Sequence, residues 1–151
     1  MAMPFSEKQG RPSGFFSEVL TSLLTPAGVQ AGFTVETAKR EGSDVIHSTI
    51  INDLIDADLV IADLTDHNQN VLFELGVRMA LEKPVALIKA KGTGPIFDVD
   101  GTLRVKEYDP NLWPSTIEAD IPNLSAHFLG AWENPNNSPT YMSLLRAKPK
   151  T

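Results

Sequence analysis

The chain has 151 residues and a mass of 16.5 kDa, enough for one domain with a real core and too few for two full ones. Thirteen basic against nineteen acidic residues give a net charge of −6 and a pI near 5.0. That balance excludes general phosphate-backbone binding, which needs a basic footprint, so nucleic acid is not an expected partner. Cysteine is absent, which removes disulfides, thiolate metal sites and a cysteine nucleophile.

The longest apolar runs, such as Leu59–Ala62 and Val85–Ile88, are too short to span a bilayer. The opening Met1-Ala2-Met3-Pro4 lacks the charged and apolar regions of a signal peptide. A soluble cytoplasmic protein without a membrane partner is the expectation.

Met1–Phe5 reads as a short first strand and Ser6–Gly14 as a polar loop. Phe15–Gln30 follows at helical spacing through Phe16, Val19, Leu20, Leu23 and Leu24, with Pro26 predicting a break or kink near its end. Gly32 stops that helix, and Phe33–Thr37 alternates like a short strand. Asp44 suits the N-cap of a helix through Asp56, with Ile46, Ile50, Ile51, Leu54 and Ile55 as its apolar stripe. Leu59–Ala62 has the continuous apolar character of a strand buried on both faces, and it ends at Asp63.

A polar loop, Thr65–Asn70, leads into a second strong helix, Val71–Lys83, ended by Pro84. Val85–Ile88 is another buried strand, Leu103–Tyr108 a weaker one, and Ser115–Phe128 a helix carrying Pro122. Alternating strands and helices predict an α/β fold: a mostly parallel sheet with helices on both faces. Residues 1–132 form that domain. The polar, proline-bearing segment 133–151 reads as a C-terminal surface tail.

Open parallel sheets bind ligands beyond the carboxyl ends of their strands. The loop after Ala62 is the most informative such place. Asp63 stands where the strand emerges, Glu74 lies in the early turns of the next helix, and Asn68 and Asn70 lie between. A carboxylate near a helix N-terminus has a positive dipole end to steady its charge. Placed at a cleft, it suits attack on a sugar C1 or support of an oxocarbenium-like transition state.

Bland alternatives exist for each residue. Glu74, Arg78 and Glu82 are four apart and would also fit one solvated stripe of weak ion pairs. Asp63 would equally cap a turn, and Asn68 and Asn70 the helix start. His47, His67 and His127 have no metal-ligand spacing, and no Walker-type loop or GxGxxG is present, so no metal or bound nucleotide cofactor is expected.

The stretch Ala57-Asp58-Leu59-Val60-Ile61-Ala62-Asp63-Leu64-Thr65, followed by Asn68-Gln69-Asn70-Val71-Leu72-Phe73-Glu74-Leu75-Gly76, resembles the nucleoside 2-deoxyribosyltransferase-like superfamily, in its bacterial branch related to TIR-like domains. Met3-Pro4-Phe5-Ser6, Pro26-Ala27, Gly32-Phe33, Leu81-x-Lys83-Pro84 and Asn111-Leu112-Trp113-Pro114 are similar too. The resemblance implies a flavodoxin-like, doubly wound sheet and cleavage or transfer of an N-glycosidic bond in a nucleoside or nucleotide. It implies Glu74 as the nucleophile at C1, with Asp63, Asn68 and Asn70 at the sugar and Phe5 and Ser6 bordering the base or phosphate. It further implies no cofactor and a homodimer or higher homo-oligomer in which one subunit completes the other's pocket. A TIR-like NAD hydrolase in stress or antiphage signalling, or a non-catalytic nucleotide-binding module, are the alternatives.

Overall fold

Two continuous apolar runs and a weaker third become strands because each finds partners on both sides of a sheet. In the computed structural model, which describes residues 11–36, 52–95 and 104–133, these are β1 (Val60–Asp63), β2 (Val85–Ala90) and β3 (Val105–Tyr108). They form a parallel sheet in the order β1-β2-β3, with Asp63 opposite Ile88 and Ala90 opposite Tyr108. The expected first strand, Phe5 and Ser6, the start of the Asp44 helix and the tail from 134 onward lie outside the described residues.

Strand alternation sends side chains to two separate cores. Ile61, Ala86, Ile88, Ala90 and Tyr108 pack with Phe15, Phe16, Val19, Leu23, Leu24, Leu124 and Phe128. Val60, Ala62 and Leu87 pack on the other face with Leu54, Val71, Leu75 and Met79. Helices therefore cover both faces, as the strand–helix alternation requires.

The first helical segment absorbs its proline without breaking. It runs as α1 (Phe15–Glu18), a π-helical stretch (Val19–Leu24) and α2 (Thr25–Gln30). Pro26 has no N–H to return to the preceding turn, and the wider π geometry before it accommodates the lost bond. Gly32, at φ 95, ends the helix: its N–H donates to Val29 O, and Phe33 N–H donates to Gly28 O. That capping motif holds Phe33 against Trp132, edge to face at 6.2 Å. Residues 33–36 accordingly carry no strand, contrary to the alternation in the sequence.

Residues 52–56 form α3 and Gln69–Ala80 forms α4. The last helix, α5, spans Pro114–Glu133, with Pro122 on its exposed side.

Arg78 of α4 has no exposed surface, and its guanidinium serves backbone rather than a carboxylate. Nη1 donates to Leu54 O at 2.9 Å, Nη2 to Asp58 O at 3.2 Å and Pro84 O at 3.0 Å, and Nε to Pro84 O at 3.1 Å. One planar fork thereby ties the end of α4 to α3 and to the segments entering β1 and β2. A lysine is a point charge on a single stem and cannot satisfy these separated carbonyls. Arg78→Lys is expected to destabilise the fold by about 2–3 kcal/mol, measured as a lower urea midpoint at unchanged m-value; a midpoint equal to wild type would contradict this role.

Candidate functional site

At the carboxyl end of β1, Asp63 is completely buried and fully hydrogen-bonded. Its Oδ1 accepts from Thr65 N at 3.0 Å and from Thr65 Oγ1 at 2.5 Å, and its Oδ2 accepts from the Tyr108 hydroxyl at 2.8 Å. Thr65 Oγ1 in turn accepts from Ala90 N at 2.9 Å and lies 3.1 Å from the Tyr108 oxygen. Asp63, Ala90 and Tyr108 are the last residues of the three strands, so one small cluster joins all three strand ends.

Burial pushes the Asp63 carboxyl up to about 6, while the bonds from Thr65 and Tyr108 pull the other way. Burial likewise raises the Tyr108 hydroxyl far above its ordinary value, which keeps it a proton donor.

The chain then makes a tight turn, Thr65–His67, in which Asp66 (φ 60) and His67 (φ 55) are both left-handed. Neither is glycine, so each costs roughly 1–2 kcal/mol and must be held from outside. Arg11 holds Asp66 with a two-pronged contact, Nε to Oδ2 and Nη2 to Oδ1, both 2.9 Å, and its guanidinium lies 5.0 Å over the Phe15 ring. The Asp66 bond raises the Arg11 pKa, which favours its charged form. His67 Nε2–H donates to Gly94 O at 2.8 Å, which joins the loop after β1 to the loop after β2.

Asn68 closes the turn as the N-cap of α4, its Oδ1 accepting from Asn70 N at 3.0 Å and Val71 N at 3.2 Å. Asn70 is exposed. The turn-capping and helix-capping alternatives for Asp63 and Asn68 are therefore what these side chains do here.

Glu74 is 4% exposed, on the inward face of α4 with Val71, Leu75 and Arg78. The solvated-stripe alternative fails, because of its three members Glu74 and Arg78 are buried and Glu82 alone is exposed. The helix begins at Gln69, two residues before the apolar pattern starts, which moves Glu74 into the second turn. The macrodipole fades within the first turn, so it offers this carboxylate little. Burial and packing define Glu74 instead.

Asp63, Asn68, Asn70 and Glu74 thus belong to one continuous strand–turn–helix segment. Thr65, Tyr108 and Arg11 join it without having been singled out in the sequence. The aspartate two residues before a threonine is a signal for the first of these. Nothing in sequence spacing reports that Tyr108 reaches across β2. Among the described residues, no group of three His, Cys, Asp or Glu side chains could hold a metal ion, and no helix is long and apolar enough to cross a membrane.

A profile of the family described as nucleoside 2-deoxyribosyltransferase matches residues 13–124, about three quarters of the sequence. The chain belongs to the nucleoside 2-deoxyribosyltransferase family. No curated protein matches it closely enough to be named as a relative. The three-stranded parallel sheet between helical layers agrees with the flavodoxin-like α/β fold of the deoxyribosyltransferase family. Asp63, Thr65, Asn68, Asn70, Glu74 and Tyr108 all fall within the matched span.

The raised Asp63 value has a thermodynamic consequence. Between the ordinary value of 3.8 and about 6, folded Asp63 keeps a proton that the unfolded chain releases. Its contribution to stability is therefore full below that window and lost as pH rises through it. Asp63→Asn, which does not titrate, is expected to flatten the stability curve there. The wild-type-minus-variant difference should change by on the order of 2–3 kcal/mol between pH 4 and 6.5, measured by urea unfolding. Parallel curves would show that Asp63 keeps its ordinary value.

Proposed function

We propose that this protein cleaves or transfers the N-glycosidic bond of a nucleoside or nucleotide, with Glu74 acting at C1 of the sugar. The observation that carries this reading is a buried carboxylate on the helix that begins immediately beyond the carboxyl end of β1, in a chain of the deoxyribosyltransferase family. One Glu74 oxygen attacks C1 as the C1–N bond breaks, and that electron pair leaves with the base. Water or a second base then displaces the carboxylate from C1, which distinguishes hydrolysis from transfer. Fixing the sugar against a pre-placed carboxylate supplies several kcal/mol of barrier reduction. None of these steps calls for a metal or prosthetic group.

The exposed Asn70 amide is available to the sugar hydroxyls. Asp63 and Asn68, whose oxygens bind within the protein, orient the sugar by holding the turn that presents Asn70 and Glu74. Phe5 and Ser6, which lie outside the described residues, belong to the same reading as contacts to the base or phosphate. A homodimer belongs to the same reading, supported by Phe73, which is 65% exposed one residue before Glu74.

Deoxynucleosides, nucleoside monophosphates and NAD, each incubated with the purified protein, are the test. Free base is expected from a nucleoside or nucleotide. Glu74→Gln is expected to lower that release by roughly three orders of magnitude with the melting temperature retained. Nicotinamide release from NAD alone would favour the TIR-like reading. Tight nucleotide binding without turnover, unchanged by Glu74→Gln, would contradict catalysis.

A further inference from the structure

We infer that Tyr108 and Thr65 are positioning residues for the reaction at Glu74, acting through Asp63 on the turn from which α4 starts. The inference rests on the proposed function and adds to it the residues that set its geometry.

Tyr108 has no exposed surface, and its hydroxyl passes over the middle strand to reach Asp63 on β1. Thr65 gathers the other two strand ends, donating to Asp63 and accepting from Ala90 N. An apolar cluster would join three strands without desolvating a carboxylate, so stability alone does not explain this choice of residues. What the polar cluster adds is direction. It fixes the backbone at Thr65, the residue that opens the left-handed Asp66–His67 turn.

That turn holds two strained residues in a row, and such a conformation persists only where its surroundings impose it. Asp63 and Tyr108 act on its entry, Arg11 and Gly94 on its body, and Asn68 on its exit into α4. The path of the turn decides where α4 begins, and Glu74 is carried by that helix. Displacing a reacting group by about 1 Å costs on the order of a hundredfold in rate, so small shifts at Thr65 are enough to matter.

The three hydrogen bonds into Asp63 oxygens, from Thr65 N, Thr65 Oγ1 and the Tyr108 hydroxyl, favour the ionised carboxylate. The charged and titratable groups facing it are Asp66, Arg11 and Tyr108. Activity should therefore fall on the acid side as Asp63 takes up a proton, with a midpoint near its value of about 6. Tyr108→Phe removes one bond to the ionised form, which moves that midpoint to higher pH.

The experiment is steady-state base release by wild type, Tyr108→Phe, Thr65→Val and Thr65→Ser across pH 4.5–8.5, with melting temperatures measured alongside. Tyr108→Phe and Thr65→Val are expected to lower kcat about tenfold with KM nearly unchanged, and Tyr108→Phe to shift the acid limb upward. Thr65→Ser, which keeps the hydroxyl, should restore most of kcat. Variants that melt lower yet keep wild-type kcat and the same acid limb would overturn the positioning role while leaving the glycosidic reading intact. Equal loss in Thr65→Ser and Thr65→Val would overturn it too, because the hydroxyl would not be the operative group. A wild-type protein that releases no base from any nucleoside or nucleotide would instead overturn the glycosidic reading, and this inference with it.

Discussion

A carboxylate with no exposed surface, bonded at once to β1's own turn and to the far strand of the sheet, is the constraint on which this end of the molecule depends. Asp63 takes two bonds from Thr65 and another from Tyr108, and Thr65 takes one from Ala90, so the ends of β1, β2 and β3 are tied to one another. Burying such a group is costly unless every oxygen is satisfied, and here each is. The result is a sheet edge whose loops start from fixed points, which is what a binding site beyond the strand ends requires.

Helix α4 is secured at both ends by different chemistry. Its start is set by the Asp66–Arg11 pair, the His67–Gly94 bond and the Asn68 cap. Its end is held by the Arg78 guanidinium on the carbonyls of Leu54, Asp58 and Pro84. Between these anchors its apolar face packs on Val60, Ala62 and Leu87. Glu74 sits on that face, so its position follows from the whole helix and not from a flexible loop. A separate cleft of about 540 Å³, lined by Asp53, Asp56, Asp58 and Glu36 among others, opens by the segment that enters β1. It lies toward the opposite strand end from Asp63.

Much of this was legible in the sequence because burial leaves continuous apolar runs. The runs Leu59–Ala62 and Val85–Ile88 mark the strands that form over Val60–Asp63 and Val85–Ala90, and the helix carrying Glu74 follows its loop as expected. Other features depend on partners far along the chain. By spacing Arg78 fits a surface charge stripe, since spacing cannot show that its donors meet three carbonyls from other segments. Phe33–Thr37 alternates like a strand, but Gly32 and the Trp132 ring hold Phe33 at a helix end. The reach of Tyr108 to Asp63 is set by strand order, which no local pattern encodes.

On the proposed mechanism the Glu74 carboxylate bonds to an anomeric carbon. A nucleoside bearing fluorine at C2 of the sugar slows the second step by destabilising positive charge at C1, so the glycosyl–enzyme bond should accumulate. Intact-protein mass spectrometry followed by peptide mapping is the direct measurement. One added sugar per chain is expected, located on Glu74 and missing in Glu74→Gln. A sugar carried on another residue, or base released from the native substrate with no adduct forming on the fluorinated one, would contradict it.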